Sequence, residues 1–312
     1  MSPAGTIMVV AAARPNFMKV APILRELEQR EIDATLVHTG QHYDANLSEI
    51  FFHDLKLRPP DIHLGVGSGS HAYQTGRVME AFDQVLEETE VRCVVVVGDV
   101  NPTLACSLTA VKRHIPVAHV EAGLRSMDRK MPEEINRIAT DVICDLLLTT
   151  SPDAAENLVQ EGIHPSRIHQ VGNVMIDSLL YALERCSGHF RGTTGVEPPE
   201  DYAIVTLHRP SNVDNPERLH TLLDLFDISA QELELVWPVH PRARARLQEY
   251  GMWDRLENNS RIHLHNPLGY LAFTDLMTSC RIAITDSGGL QEETTVLGIP
   301  CLTIRENTER PI

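Results

Sequence analysis

Cys93-Val94-Val95-Val96-Val97-Gly98-Asp99 is the stretch that settles the class of fold. Its apolar residues run without a polar interruption and stop at a glycine and a carboxylate. A strand with one wet face alternates in polarity, whereas an unbroken apolar run suits a central parallel strand covered on both sides. Working outward, comparable runs fall at residues 6–12, 34–39, 117–120 and 146–149, and again at 203–207, 233–237, 261–264, 282–285 and 301–304. Amphipathic segments lie between them. In the first, Phe17, Val20, Ala21, Leu24 and Leu27 share one helical stripe. This alternation predicts α/β units built on parallel sheets. The periodicity lapses at residues 187–200, SGHFRGTTGVEPPE, which predicts a linker or surface loop, and the series restarts at Tyr202. Two Rossmann-like domains are therefore expected, the first over residues 1–172 and the second over residues 173–312, with the crossing between about Val171 and Asp201.

The 312 residues are enough for two domains of ordinary size. With 43% hydrophobic and 22% charged residues, the composition is that of a globular chain and excludes disorder or fibrous repeats. No apolar run reaches the roughly 18 residues that cross a bilayer. The stretch from Ile7 to Ala13 runs straight into Arg14-Pro15 and reads as a first strand, not a signal peptide. Against 27 basic residues stand 43 acidic ones, a formal charge of −16. That excess opposes any broad grip on nucleic acid or an anionic membrane. An anionic ligand needs a local site of a few cations and helix N-termini. The cysteines, Cys93, Cys106, Cys144, Cys186, Cys280 and Cys301, form no CxxC and read as thiols of a reducing cytoplasm.

In open parallel sheets ligands bind beyond the carboxyl ends of the strands, so the residues just past each strand matter most. After the first comes Ala13-Arg14-Pro15-Asn16-Phe17-Met18-Lys19; after the valine run, Gly98-Asp99; after residues 117–120, Glu121-Ala122-Gly123-Leu124-Arg125 and then Pro132-Glu133-Glu134-Ile135-Asn136-Arg137. In the second half, His208-Arg209-Pro210, His240-Pro241-Arg242 and Asp286-Ser287-Gly288-Gly289-Leu290-Gln291-Glu292-Glu293 occupy equivalent places. The Ser287-Gly288-Gly289 turn opens a helix, where unpaired N–H groups and the positive dipole end favour an anion. Glu292 and Glu293 fit either ribose hydroxyls or simple helix-dipole chemistry. Asp99, Glu121 and Glu133 are three carboxylates at neighbouring ends. They fit an acid–base set with separated pKa values, or solvated caps, and Glu133 also fits an ion pair with Arg137. Arg14 and Lys19 fit anion ligands or surface charge.

Other features carry less. Gly65-Val66-Gly67-Ser68-Gly69-Ser70 matches neither GxGxxG nor a P-loop and reads as a mobile loop. His38 with His42, and His263 with His265, have no third partner nearby, so no metal site is expected.

Taken together, these residues resemble the non-hydrolysing UDP-N-acetylglucosamine 2-epimerases. The resemblance rests on Arg14-Pro15 with Lys19, Thr39-Gly40-Gln41-His42, Gly98-Asp99, His119-Val120-Glu121-Ala122-Gly123-Leu124-Arg125 and Pro132-Glu133-Glu134-Ile135-Asn136-Arg137. It continues through Gly172-Asn173 with Asp177, His208-Arg209, Pro238-Val239-His240-Pro241, the Asp286-to-Glu293 turn and Thr308-Glu309-Arg310-Pro311. It implies a GT-B-like fold of two Rossmann-like domains facing across a cleft. It also implies reversible inversion at C2 between UDP-GlcNAc and UDP-ManNAc, supplying cell-surface polysaccharide precursors from the cytoplasm. Neither NAD nor metal is implied, and a homodimer is. The C2 proton leaves with expulsion of UDP, giving 2-acetamidoglucal; proton return on the other face and re-addition of UDP complete the inversion. By motif, Asp99, Glu121 and Glu133 become acid–base candidates and His208 the group near the diphosphate. Arg14, Lys19, Ser287, Gly288, Gly289 and Arg310 would hold phosphate, Glu293 the ribose, and Phe273 would lie near the uracil. Arg137 and His240 complete the expected substrate contacts. Family members normally continue for several dozen residues beyond the position of Ile312, so the second domain is expected to be incomplete. His208-Arg209-Pro210-Ser211 and Gln41-His42-Tyr43-Asp44 depart from the stretches of members activated by a second substrate molecule, so weak or absent activation is expected. The alternatives are the same reaction on a UDP-diacetamido uronic acid, a hydrolysing relative, a GT-B glycosyltransferase, or a non-catalytic UDP-sugar-binding fragment.

Overall fold

The computed structural model describes residues 5–12, 14–40, 50, 52–305 and 308–309, with residues 14 and 15 as backbone only. The chain divides into two compact units, one ending at Ser178 and the other beginning at Leu179.

The first unit contains β1 (Thr6–Ala11), α1 (Arg14–Gln29), β2 (Ala34–His38), β3 (Ile62–His63), α2 (His71–Glu88), β4 (Val91–Val97) and α3 (Asn101–Lys112). After these come β5 (Val117–Ala122), α4 (Pro132–Ile143), β6 (Leu146–Thr149), α5 (Pro152–Gln160), β7 (Ile168–Gln170) and α6 (Val174–Leu183), which carries the division between units. Among the described residues its strands form one sheet in the order β3-β2-β1-β4-β5-β6-β7, every pair parallel. Met8, Val10, Val94, Val96 and Val117 project from the central strands into a core closed by Val78, Phe82, Ala105 and Cys106 of the covering helices.

The second unit contains α7 (His189–Thr194), β8 (Tyr202–Thr206), α8 (Pro210–Val213), α9 (Pro216–Glu232), β9 (Glu234–Pro238) and α10 (Pro241–Glu249). It continues with α11 (Trp253–Glu257), β10 (Ile262–His265), α12 (Tyr270–Ser279), β11 (Ile282–Thr285), α13 (Gly288–Leu297) and β12 (Cys301–Thr303). The parallel sheet runs β10-β9-β8-β11-β12. Its core is built around Val205, Phe226 and Trp237, the last two rings meeting edge to face with centroids 5.4 Å apart.

Both sheets start in the middle, grow to one side and then to the other. In each, two neighbouring strands send their connections in opposite directions: β1 and β4 in the first unit, β8 and β11 in the second. A crevice opens at the carboxyl ends of such a pair because the loops diverge there. This is the expected α/β class, GT-B-like in being composed of two Rossmann-like units. The ten expected strands are all present. β3 and β7 are additional, with two and three residues, too short to leave a pattern. The stretch 187–200, expected as a linker or loop, carries the helix α7. Phe190 is buried there, and its amide donates to Asp275 Oδ2 on α12 at 2.9 Å. A single apolar anchor, not a periodic stripe, holds this helix.

All six cysteines are free thiols, and burial pushes Cys144 up to about 12. No helix among the described residues is long and apolar enough to cross a membrane.

One backbone position limits what the first unit tolerates. Gly123, just past β5, has φ of 81°, and a β-carbon there would stand 2.2 Å from the Ala154 carbonyl oxygen on α5. Both the left-handed backbone and the close helix approach exclude a side chain. Gly123→Ala is expected to destabilise the chain by about 2–4 kcal/mol in urea unfolding. A loss below about 0.5 kcal/mol would contradict this packing.

Candidate active site

In the first unit the polar residues gather where β1, β4 and β5 end. Helix α1 starts directly after β1. Its Asn16 takes the Ala12 amide on Oδ1 at 3.3 Å and donates from Nδ2 to the Val97 carbonyl at 3.4 Å, tying the ends of β1 and β4 together. One turn later Lys19, also buried, forms an ion pair with Glu121 Oε2. Glu121 is 3% exposed with φ of 68°, and the pairing of β5 with β6 slips a register at this residue. A bulge with a left-handed, non-glycine residue is strained, and here it turns a carboxylate toward the start of α1.

Asp99 follows β4 and stands beside α4. Arg137 reaches it from Nε at 3.0 Å and Nη2 at 2.7 Å, both on Oδ2, while Asn136 donates to the Asp99 carbonyl at 2.9 Å. The same guanidinium donates from Nη1 to Glu134 at 2.5 Å. Glu134 also accepts from the Ser126 amide and hydroxyl and from the Met127 amide, each at 3.0 Å. It therefore anchors the loop before α4. Glu133, its neighbour, is half-buried in the first turn of α4 and takes part in no ion pair among the described residues. The ion pair between Glu133 and Arg137 that helical spacing allowed is not formed; Arg137 goes to Asp99 and Glu134 instead.

Beneath these groups lies a buried ionic layer. His119, fully buried on β5, points Nδ1 at Asp141 Oδ1 (2.7 Å) and Nε2 at the Gly98 carbonyl (2.8 Å). Asp141 also receives Arg125 Nη1 at 2.8 Å and the Gly123 amide at 3.1 Å. Burial raises the Asp141 carboxyl, but His119 and Arg125 outweigh it and hold it below the ordinary range.

In the second unit Asp286, fully buried at the end of β11, plays a comparable part. Its carboxylate accepts from the His208 amide (3.1 Å), the Arg209 amide (2.9 Å) and Asn212 Nδ2 (3.0 Å), and it faces His208 Nδ1 at 2.7 Å. With Nδ1 on Asp286, Nε2 of the half-exposed His208 ring is left for a ligand. Burial raises Asp286; the bond and charge of His208, with Asn212 and the Arg209 amide, outweigh it and hold the carboxyl low. His240 caps α10 by accepting the Arg242 amide, and its ring centroid lies 5.8 Å from that of His208. Ser287, Gly288 and Gly289 form the start of α13, and Ser287, its N-cap residue, makes no side-chain cap bond. Glu293, one turn in, is buried and accepts from the Tyr270 hydroxyl at 2.8 Å. Burial and that carboxylate push Tyr270 far up, so it remains a donor. Phe273 lies half-buried on α12.

The structure thus brings Lys19, Asp99, Glu121, Glu133 and Arg137 to one edge of the first sheet. His208, His240, Ser287, Gly288, Gly289 and Glu293 gather at the corresponding edge of the second. The Arg14 side chain, the stretch from Gln41 to Asp44, and Arg310 lie outside the described residues. Sequence reasoning passed over Asn16, Glu134, Asp141, Tyr270 and the supporting role of Asp286. Each acts through a neighbour; Asn16, Glu134 and Asp286 sat inside segments already singled out by their position, whereas Asp141 and Tyr270 did not. Among the described residues no group of three or more His, Cys, Asp or Glu is placed to hold a metal ion.

The depressed carboxyls make stability pH-dependent. Asp141 and Asp286 bind protons at lower pH folded than unfolded, so the unfolded chain holds more protons across that window. Their contribution is complete above the ordinary value of 3.8 and is lost as pH falls through the folded values. The urea-unfolding free energy is expected to fall as the pH drops below about 4, and less steeply in D141N or D286N. Equal slopes in all three proteins would contradict the assignment.

The sequence profile of the UDP-N-acetylglucosamine 2-epimerase family matches residues 25–312. A UDP-N-acetylglucosamine 2-epimerase of Methanocaldococcus jannaschii is 42% identical over 310 residues, covering 98% of this chain and 85% of the relative. The crystal structure of the M. jannaschii UDP-GlcNAc 2-epimerase in complex with UDP-GlcNAc and UDP matches with a TM-score of 0.91, over 98% of this chain and 85% of that one. A UDP-2,3-diacetamido-2,3-dideoxy-D-glucuronate 2-epimerase of Pseudomonas aeruginosa is 39% identical, over 97% of this chain and 84% of its own length. With the family profile matched over residues 25–312 and a 42% identical relative covering 98% of it, this chain belongs to the UDP-N-acetylglucosamine 2-epimerase family.

Proposed function

We propose that the chain interconverts UDP-GlcNAc and UDP-ManNAc by inverting C2 of the sugar. The observation that carries this reading is the acid–base edge of the first unit, where Glu121 meets Lys19 and Asp99 meets Arg137 at adjoining strand ends. Removing a proton from C2 needs a carboxylate held in place and shielded from bulk water. Glu121 is such a group: the bulge fixes its backbone and Lys19 holds one oxygen. Asp99 is steadied from one side by Arg137, leaving its Oδ1 outside that contact, and Glu133 stands half-buried on α4. Two of these carboxylates on opposite faces of the sugar ring would exchange the proton with inversion.

Expulsion of UDP places negative charge on the leaving phosphate, and the second unit is suited to receive it. The start of α13 offers backbone N–H groups, and His208, oriented by Asp286, offers Nε2. Glu293, steadied by Tyr270, suits the ribose hydroxyls. With UDP held, the 2-acetamidoglucal stays beside its leaving group long enough for proton return and re-addition. No step in this sequence changes an oxidation state overall. Arg14, Phe273, His240 and Arg310 remain proposed substrate contacts, and a homodimer is the proposed assembly.

A second substrate has a specific argument behind it. The P. aeruginosa relative named for a diacetamido-glucuronate is almost as similar as those named for UDP-GlcNAc. The chemistry at C2 is the same, and comparing the two UDP-sugars in one assay decides between them.

Proton NMR in deuterated water is the direct test. UDP-ManNAc is expected to appear from UDP-GlcNAc with deuterium at C2 of both epimers. Glu121→Gln and Asp99→Asn are each expected to lower the rate by about a hundred- to ten-thousand-fold while UDP still binds. His208→Asn is expected to cost about ten- to a thousandfold in rate. Full activity in E121Q and D99N together would remove the acid–base assignment.

A further inference from the structure

The chain after β12 returns to the start of α13 with a buried ion pair that none of the foregoing uses. Arg305 Nη2 contacts Glu309 Oε2 at 2.6 Å, with side chains only 3% and 11% exposed. The other terminal nitrogen, Nη1, is buried and has no hydrogen-bond partner among the described residues. It is not remote from the nucleotide edge. A β-carbon at Gly288, the first residue of α13, would stand 3.0 Å from Arg305 Nη1 and 2.8 Å from Glu309 Oε1. Three features therefore meet at one glycine. They are a ten-residue helix whose N-cap residue, Ser287, makes no side-chain cap bond, a buried guanidinium with an unmade bond, and a carboxylate.

A buried donor on a cation without an acceptor is costly and calls for an explanation. Glu309 satisfies one arm of the guanidinium and brings negative charge to the helix start, where such charge is favoured. A phosphate group has the same fork of oxygens, with more of them and more charge, and can meet Nη1 and the helix amides together. A carboxylate and a phosphate cannot share this spot, because like charges at that separation repel strongly.

We infer that Arg305 is a direct phosphate ligand, and that Glu309 is an internal anion holding the phosphate's place on Arg305 and Gly288 until nucleotide arrives. The inference deepens the UDP reading and rests on it only for the identity of the anion. Binding is an exchange of partners with no covalent step: the Arg305–Glu309 pair opens, the guanidinium takes the phosphate, and the Glu309 carboxylate moves out to water. Glu309 thus sets the affinity of the site by competing with its ligand.

Calorimetric titration of the full chain with UDP, and separately with inorganic pyrophosphate, tests this. Arg305→Gln is expected to weaken both ligands by about ten- to a hundredfold. Glu309→Gln is expected to tighten both by about three- to tenfold. Tightening is the decisive result, since a carboxylate that merely supported the fold or oriented Arg305 would give weaker binding when neutralised. Because R305Q strips charge from a buried pair, its melting curve is recorded alongside. Arg305→Lys, which keeps the charge and loses the fork, is expected to fall between R305Q and the unaltered chain. The inference is overturned if folded R305Q binds both ligands as the unaltered chain does, or if E309Q weakens them. If pyrophosphate responds as expected and UDP does not bind, the nucleotide reading fails and the anion exchange stands. If UDP binds and neither variant moves it, only the exchange fails.

Discussion

A buried carboxylate, Asp141, holds the carboxylate-bearing edge of the first unit in shape. It sits on α4, yet through His119 it reaches the Gly98 carbonyl at the end of β4, and directly it takes the Gly123 amide beyond β5. Asp99 and Glu121 lie next to those two points. The loops that carry Asp99 and Glu121 are therefore fixed from below by one acceptor group. Replacing such a centre costs more than any single bond it makes, because each partner becomes a buried donor without an acceptor.

The second unit repeats the device with different residues. Asp286 ends β11 and collects the amides of His208 and Arg209, the Asn212 side chain and the His208 ring, all from the segment following β8. Each unit thus places a fully buried aspartate beneath the carboxyl ends of two neighbouring central strands. Parallel strands leave their terminal carbonyls and amides pointing into the same crevice. An acceptor-only carboxylate is an economical way to gather amides there without adding a competing donor. What differs is what stands above: carboxylates with their cations in one unit, a helix start and a histidine in the other.

Much of the fold was legible because the central strands are continuously apolar and the helices between them keep a clean stripe. The valine run preceding Gly98 admits few other readings. Legibility failed where an element is held by one or two contacts. β3 and β7 are too short for a period, and α7 hangs on Phe190 and the Asp275 bond. Among the candidate site residues, the strand-end groups could be picked out because parallel sheets bind ligands at their carboxyl ends. Their supports were not found, since a mid-helix residue such as Asp141 announces itself only through distant partners. Glu133 and Glu134 show the limit at finer grain. They are adjacent and chemically alike, but about 100° apart around the helix, so one is locked into backbone amides and the other is not.

Glu121 joins two demands that pull apart. Its left-handed backbone is one in which glycine would rest without strain, and its burial beside Lys19 is one in which a small neutral residue would carry no desolvation cost of its own. Selection for folding alone would drift away from a carboxylate at this position. Under the acid–base role proposed for it, the residue is a place where the chain keeps reactivity at the expense of ease of folding. Stabilising redesign of this protein should therefore leave the bulge alone and look for its gains elsewhere.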